Sequence, residues 1–370
     1  MARLLVIVSY RIFPAHLGGQ KGIAKFYHHL QQHHSIHMVV SRNNNPEQLP
    51  FAVEKILYPN NRIGLNIFQL PRLRKIIREN NIDGIVAEHS YTGWMAWLLT
   101  KMTGRTFFIH SHNIETARFQ QMNKKGWRFF RHYEKWIHQK ADFSFFKTDE
   151  EQNWAQQNFH LQSSKTAVIP YGVEEFCPIA NARQQLKERY KINSPFVFYF
   201  NGTLDYAPNT EAVEHLLDTI NPMLQETTLA YTIVISGKRL NPALEEKVLA
   251  AKNMQYLGFV NDATLLYQSA TLFLNPVLND TGIKTKVVEA LANHCTVISA
   301  ASGATGIPKR ICAGKLKTVQ DGNWKAFVQL IEESCKEQPA DTPPAFFDYF
   351  SWKKIVQTAA TKINYTLAHA

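Results

Sequence analysis

No long hydrophobic run opens this chain. Leu4–Val8 is five apolar residues behind Arg3, too short for a signal-peptide core or a membrane span, and it reads as a first β-strand. Cysteine is scarce. The four thiols, Cys177, Cys295, Cys312 and Cys335, lie far apart. None forms a Cys-x-x-Cys or Cys/His cluster, which excludes a zinc site of that kind and leaves reduced thiols of a cytosolic protein as the expectation. Internal repeats and low-complexity tracts are missing, and nothing in the composition suggests long disorder. Acidic residues are outnumbered, 30 against 41 Lys and Arg, for a formal charge of +11. That excess favours an anionic partner: a phosphorylated substrate, an anionic membrane surface or nucleic acid. Nucleic acid is disfavoured, because the basic residues are scattered and no recognition motif accompanies them.

What is present is enough for two cores. A chain of 370 residues, 45% hydrophobic, exceeds the size at which one core usually keeps growing. Short runs rich in β-branched and aromatic residues recur between amphipathic stretches, the pattern of parallel strands buried on both faces and joined by crossover helices. The first half offers Leu4–Val8, His37–Val40, Gly84–Ala87, Thr106–Ile109, Phe143–Phe146 and Ala167–Ile169. The second offers Phe196–Phe200, Tyr231–Ile235, Met254–Leu257, Thr271–Leu274 and Thr296–Ser299. Helical candidates between them include Gly22–His33, Leu70–Asn80, Arg128–Lys140, Pro242–Lys252 and Lys284–Ala292.

The fold class expected is therefore α/β, two Rossmann-like doubly wound parallel-sheet domains facing a central cleft. The expected boundaries are a first domain over 1–172, a linker over 173–194, a second domain over 195–350 and a last helix over 351–370 that crosses back to the first domain.

Three segments are candidates for chemistry. After the first strand, Pro14-Ala-His-Leu-Gly-Gly-Gln-Lys-Gly22 is a glycine-rich turn opening a helix, where bare amides at Gly18 and Gly19 meet an anion or simply make a tight βα turn. Its spacing is not Gly-x-Gly-x-x-Gly and no acidic residue ends the second strand, which disfavours a nicotinamide dehydrogenase. At the end of the strand Thr106–Ile109 stand His110, His112, Asn113 and Glu115, a cluster in which Glu115 is expected to orient a histidine. The plainer alternative makes Asn113 a helix N-cap with Glu115 in the first turn. The richest stretch is Asp280-Thr281-Gly282-Ile283-Lys284-Thr-Lys286-Val-Val-Glu289. Lys284 and Lys286 stand at a helix N-terminus, where cations disfavour the helix and a bound anion compensates. Glu289, three residues after Lys286, accepts ribose hydroxyls, unless the two form a plain surface pair.

At these residues the sequence resembles glycosyltransferase family 4, retaining enzymes of the glycosyltransferase B fold. The match runs through Gly18-Gly19, His112-Asn113-x-Glu115, Tyr133-Glu134, Val168-Ile-Pro-Tyr-Gly-Val173, Asn201–Asn209, Gly282–Ala290 and Ser302–Gly306. The resemblance implies a nucleotide-diphosphate sugar held mainly by the second domain and a saccharide or lipid-linked acceptor held by the first. The sugar is transferred with retention, with no metal and no cofactor beyond the donor. Carried over, Glu289 binds the ribose, Lys284 and Lys286 the diphosphate, Gly18 and Gly19 approach the phosphates or sugar, and His112 sits beside the transferred sugar, so that His112, Lys284 and Glu289 form the catalytic set. Two departures stand out. Thr281, with Asp280 beside it, replaces the first of two glutamates, and Gly202-Thr-Leu-Asp205 replaces an Arg and Lys pair, leaving the phosphate grip to Lys284 and Lys286 with help from Lys238. Epimerisation of the donor and non-catalytic glycan binding are the rival readings. The basic, aromatic stretch Lys124–Lys140 raises peripheral contact with an anionic membrane at its cytoplasmic face, against the duller expectation that Phe129, Phe130, Tyr133 and Trp136 face the core.

Overall fold

The computed structural model describes residues 1–15, 18–46, 48–278 and 282–370, with Gln121 described in its backbone only. The chain divides into two compact units, one comprising Met1–Gly172, the described Gly282 and Ile283, and Phe350–Ala370, the other Val173–Asp280 and Lys284–Tyr349.

Unit one is built on a seven-stranded sheet in the order β3-β2-β1-β4-β5-β6-β7. Its strands are β1 (Arg3–Val8), β2 (Ser35–Ser41), β3 (Ala52–Leu57), β4 (Gly84–Glu88), β5 (Thr106–His110), β6 (Phe143–Phe146) and β7 (Thr166–Val168). Every pairing is parallel, and parallel strands must bury both faces under crossover helices. Strand β1 shows how. Side chains alternate across a strand; Leu4, Val6 and Val8 pack with Ile23 and Phe26 of the helix Gly18–Leu30 and with Trp352, Ile355 and Ala359 of the helix Trp352–His369. Leu5 and Ile7 face the other way, onto Leu73, Met95, Leu99 and Ile137. Two glycines exist for this packing. A Cβ on Gly22 would lie 3.0 Å from the Tyr171 ring, and one on Gly172 would lie 2.2 Å from Trp352.

Unit two carries a six-stranded parallel sheet, β10-β9-β8-β11-β12-β13. Its strands are β8 (Phe196–Thr203), β9 (Tyr231–Lys238), β10 (Met254–Tyr256), β11 (Leu272–Asn275), β12 (Thr296–Ala300) and β13 (Leu316–Val319). In each sheet the strand order reverses beside the first strand, between β1 and β4 and between β8 and β11. Open α/β sheets bind ligands at the carboxyl ends of the strands flanking such a reversal. Strands β3 and β13 and several helices, Gly93–Thr103 among them, add to those expected from the sequence. Among the described residues no helix is long and apolar enough to cross a membrane.

Candidate functional site

At the carboxyl edge of the unit-one sheet, register places chemistry side by side. Pairing of β4 with β5 sets Glu88 opposite His110, and β5 with β6 sets His110 opposite Phe145, two residues before Lys147. Glu88 is fully buried and takes three donors. His110 Nδ1 lies 2.7 Å from Oε1, His112 Nε2 lies 2.5 Å from Oε2, and the Tyr27 hydroxyl also donates to Oε1. Beyond His110, the buried Lys147 ammonium sits 2.6 Å from Nε2 and donates to the Ile169 carbonyl at 3.3 Å.

Charge states follow from burial and neighbours. Burial pushes the Glu88 carboxyl up, but the imidazoles around it hold it well below the usual carboxylate range. Burial lowers His110 to about 4 and His112 to about 3 against the pull of Glu88. Burial also lowers Lys147, to about 8, with Glu88 and Glu151 opposing. Near neutral pH the cluster is thus one carboxylate, one ammonium and two neutral rings. Glu88, His110 and His112 bring three metal-capable atoms within 4.8 Å of one another, but the ring nitrogens that face Glu88 are engaged as donors to its oxygens, and the Lys147 cation stands next to His110. The donor set fits a hydrogen-bond hub.

Glu115 does not orient either histidine; that expectation is corrected, because Glu88 on the neighbouring strand occupies the space beside both rings. Glu115 instead accepts from the Tyr91 hydroxyl at 2.5 Å and from Arg118 Nη1 at 3.1 and 3.0 Å. Nor does Asn113 cap the following helix, Glu115–Gln121, whose N-cap is Ile114 with no side-chain cap. The cap arrives from another helix, Trp127–Lys140. Glu134 accepts the amides of Glu115 and Thr116 at 3.1 and 2.8 Å and the Thr116 hydroxyl at 2.6 Å. Burial raises Glu134 to about 7, with the Thr116 hydrogen bonds opposing. Beside this network His89, at φ 62°, holds a backbone region disfavoured for residues with a side chain. His89 Nδ1 and the Tyr10 hydroxyl are buried with no hydrogen-bond partner among the described residues. Unsatisfied buried polar atoms cost free energy.

Gly18 and Gly19 open the helix Gly18–Leu30. Gly19 is exposed, and a Cβ there would meet nothing within 4 Å, so packing does not require a glycine at that position. Its amides belong to the first turn of a 13-residue helix.

In unit two the helix Thr285–Ala292 starts from Lys284 as N-cap, with no side-chain cap. Lys286 is half-buried in its first turn. The ammonium donates to Asn209 Oδ1 at 2.7 Å and lies 4.1 Å over the Phe200 ring; it has no carboxylate partner among the described residues. The plain Lys286–Glu289 pair is therefore not what forms. Burial, reinforced by Lys284, drives the Lys286 pKa well down. Asn209 is aimed by a second bond, Nδ2 to the Thr203 carbonyl at 2.9 Å. Gly202 makes room for it, since a Cβ there would lie 2.8 Å from Asn209 Nδ2. Glu289 accepts from the Tyr267 hydroxyl at 3.3 Å, and Asn201 donates to that hydroxyl at 2.9 Å. Just before this helix, and grouped with unit one, Gly282 has φ +67°, a turn conformation that favours glycine, and Ile283 follows it, half-buried. Lys238 ends β9 with its ammonium 3.7 Å over the Phe259 ring. Asp280 and Thr281 lie outside the described residues. Sequence reasoning did not single out Glu88, Lys147, Tyr27, His89, Asn209 or Tyr267. For Glu88 a signal existed, a carboxylate closing a buried strand.

Comparison with known proteins follows the same division. Residues 18–175 match the family model described as Glycosyltransferase Family 4, and residues 195–337 match that for Glycosyl transferases group 1. An uncharacterized 44.6 kDa protein in the cps region of Klebsiella pneumoniae is 21% identical over 344 residues, 83% of this chain and 84% of its own. Among solved structures, sucrose-phosphate synthase from Thermosynechococcus elongatus superposes with a TM-score of 0.78 at 16% identity, covering all of both chains. Anabaena HepE in complex with UDP superposes at 0.74 and 15% identity, covering 99% of this chain and all of that one. With consecutive halves of the chain matched by paired glycosyltransferase models and both folds shared with such enzymes, this protein belongs to glycosyltransferase family 4, with the glycosyltransferase B fold.

Proposed function

We propose that this glycosyltransferase moves a hexosyl group, with retention, from a nucleotide-diphosphate sugar to a saccharide or lipid-linked acceptor in glycan or polysaccharide biosynthesis. The observation that carries the reading is Lys286: a half-buried ammonium in the first turn of a helix, aimed by Asn209 and Phe200 and with no carboxylate partner among the described residues. A helix N-terminus with an uncompensated cation attracts a diphosphate. Breaking the anomeric bond makes that diphosphate more negative, so cations fixed in advance at Lys284 and Lys286 lower the barrier without a resident cofactor. Glu289, held by Tyr267, takes the ribose hydroxyls, and unit one holds the acceptor. HepE, solved with UDP and with UDP-glucose, makes uridine donors the first to try.

A panel of nucleotide sugars tested by thermal shift decides the point. A true donor at one hundred times its Kd stabilises by about 2.7 kcal/mol, and Lys286→Ala abolishes the shift. A panel in which no nucleotide sugar moves the melting temperature defeats the reading.

Peripheral contact with an anionic membrane, at its cytoplasmic face, belongs to the same proposal. On the helix Trp127–Lys140, Phe130, Tyr133 and Trp136 pack into an aromatic cluster with Tyr91 and Trp97. Phe129 does not face the core; it is 81% exposed, flanked by Arg128 and Arg131. An aromatic ring among cations suits an anionic lipid interface. Co-sedimentation with phosphatidylglycerol vesicles is expected to exceed that with phosphatidylcholine and to fall several-fold in Phe129→Ser. Equal sedimentation with both lipids speaks against it.

A further inference from the structure

The hydrogen-bond hub in unit one sets the protonation of the one ring in it that reaches the surface. Lys147, His110, Glu88 and His112 form an unbroken chain: Lys147 Nζ to His110 Nε2 at 2.6 Å, His110 Nδ1 to Glu88 Oε1 at 2.7 Å, and Glu88 Oε2 to His112 Nε2 at 2.5 Å. Exposure rises only at one end. The Lys147, His110 and Glu88 residues are 5%, 1% and 0% exposed, whereas the His112 side chain is 13% exposed.

The chain leaves one consistent assignment of hydrogens. An ammonium has donors only, so His110 Nε2 must accept from Lys147, which places the His110 proton on Nδ1, facing Glu88. That direction is also forced from the other side. A carboxylate oxygen and a bare imidazole nitrogen are both acceptors and repel at 2.7 Å. The same reasoning places the His112 proton on Nε2, against Glu88 Oε2. His112 Nδ1 is then a bare lone pair, with no partner among the described residues. A second proton on either ring would put two cations around one buried carboxylate, since Lys147 already balances Glu88. Buried, unmatched charge is expensive.

We propose that Lys147, His110 and Glu88 are positioning residues that lock His112 in its Nε2–H tautomer, so that Nδ1 is presented as a hydrogen-bond acceptor for a sugar hydroxyl. His112 in this state recognises a hydroxyl proton and does not act as a cationic donor to a phosphate or carboxylate. Its role in contacting sugar rests on the function proposed above; its tautomer does not.

The test separates the two. In the full-length chain labelled with 15N-histidine, nitrogen NMR reports which ring nitrogen carries the proton, and comparison with His112→Gln identifies the His112 signals. Expected near neutral pH is a neutral His112 with its proton on Nε2 and a bare Nδ1. An imidazolium, or a proton on Nδ1, overturns the proposal.

Two variants probe the chain itself. In Glu88→Gln the carboxamide offers one acceptor and one donor, so one ring must reverse its tautomer. Transfer with the donor found by thermal shift is expected to fall on the order of 100-fold with the KM for that donor nearly unchanged. In Lys147→Met the Glu88 charge loses its balance, and one of the two rings becomes an imidazolium near neutral pH; rings that stay neutral there remove Lys147 from the chain. If no nucleotide sugar supports transfer by the wild-type protein, the functional reading falls while the NMR result still decides the tautomer.

Discussion

Lys286→Ala is expected to lower transfer on the order of 100-fold or more while leaving the protein folded. The ammonium is held in a defined place: it sits in the first turn of Thr285–Ala292, hydrogen-bonded to Asn209 Oδ1 at 2.7 Å and 4.1 Å over the Phe200 ring. Its location costs stability. Burial and the neighbouring Lys284 both work against the charge, and the positive end of the helix adds to the cost. The proposed role, neutralising a bound diphosphate, is what offsets this cost. Lys286→Met, which keeps the packing against Phe200 and removes the charge, should therefore melt no lower than wild type while losing activity as Lys286→Ala does. Steady-state kinetics beside a melting curve check both halves. A large drop in melting temperature for Lys286→Met, or near-normal turnover, would show that the cation serves the fold instead.

Trp352→Ala is expected to destabilise unit one by about 3–5 kcal/mol, the usual loss for truncating a buried large aromatic. Trp352 is 2% exposed; its ring stacks on His29 with centroids 5.9 Å apart and meets Tyr171 edge-on at 5.8 Å. Its Nε1 has no hydrogen-bond partner among the described residues, so the loss is one of packing alone. The ring lies against Gly172, where a Cβ would come within 2.2 Å of Cδ2. Gly172→Ala should cost about 1–3 kcal/mol by overpacking. In the Trp352→Ala background the same methyl has space, so the two changes should be less damaging together than their sum. Urea unfolding of the four proteins measures the cycle. Strict additivity would mean that the glycine is kept for another reason.

The parts of the site that could be read from the sequence are those contiguous along the chain. The run from Gly282 to Glu289 carries its turn, its cations and its helix within one stretch, so local rules about helix ends and charge sufficed to single it out. The strands with continuous apolar runs were equally legible, since a strand buried on both faces has no polar alternation to hide it. Two strands escaped. β3, Ala-Val-Glu-Lys-Ile-Leu, lies at the sheet edge with charged residues in its middle. β13, Leu-Lys-Thr-Val, is only four residues long.

By itself, the sequence determined the two parallel α/β sheets, through the period and burial of its apolar runs, and it determined the family. It also marked His110 and His112, because they close a strand. Only the tertiary structure decided which carboxylate those rings face. Glu115 is nearest in sequence, but the pairing of β4 with β5 delivers Glu88 from a strand that ends 22 residues before His110, and β6 leads to Lys147 from the other side. Strand register is set by burial along the whole sheet. It is a property of distant segments meeting, so no local pattern around Glu88 or Lys147 could announce that the two would share a histidine.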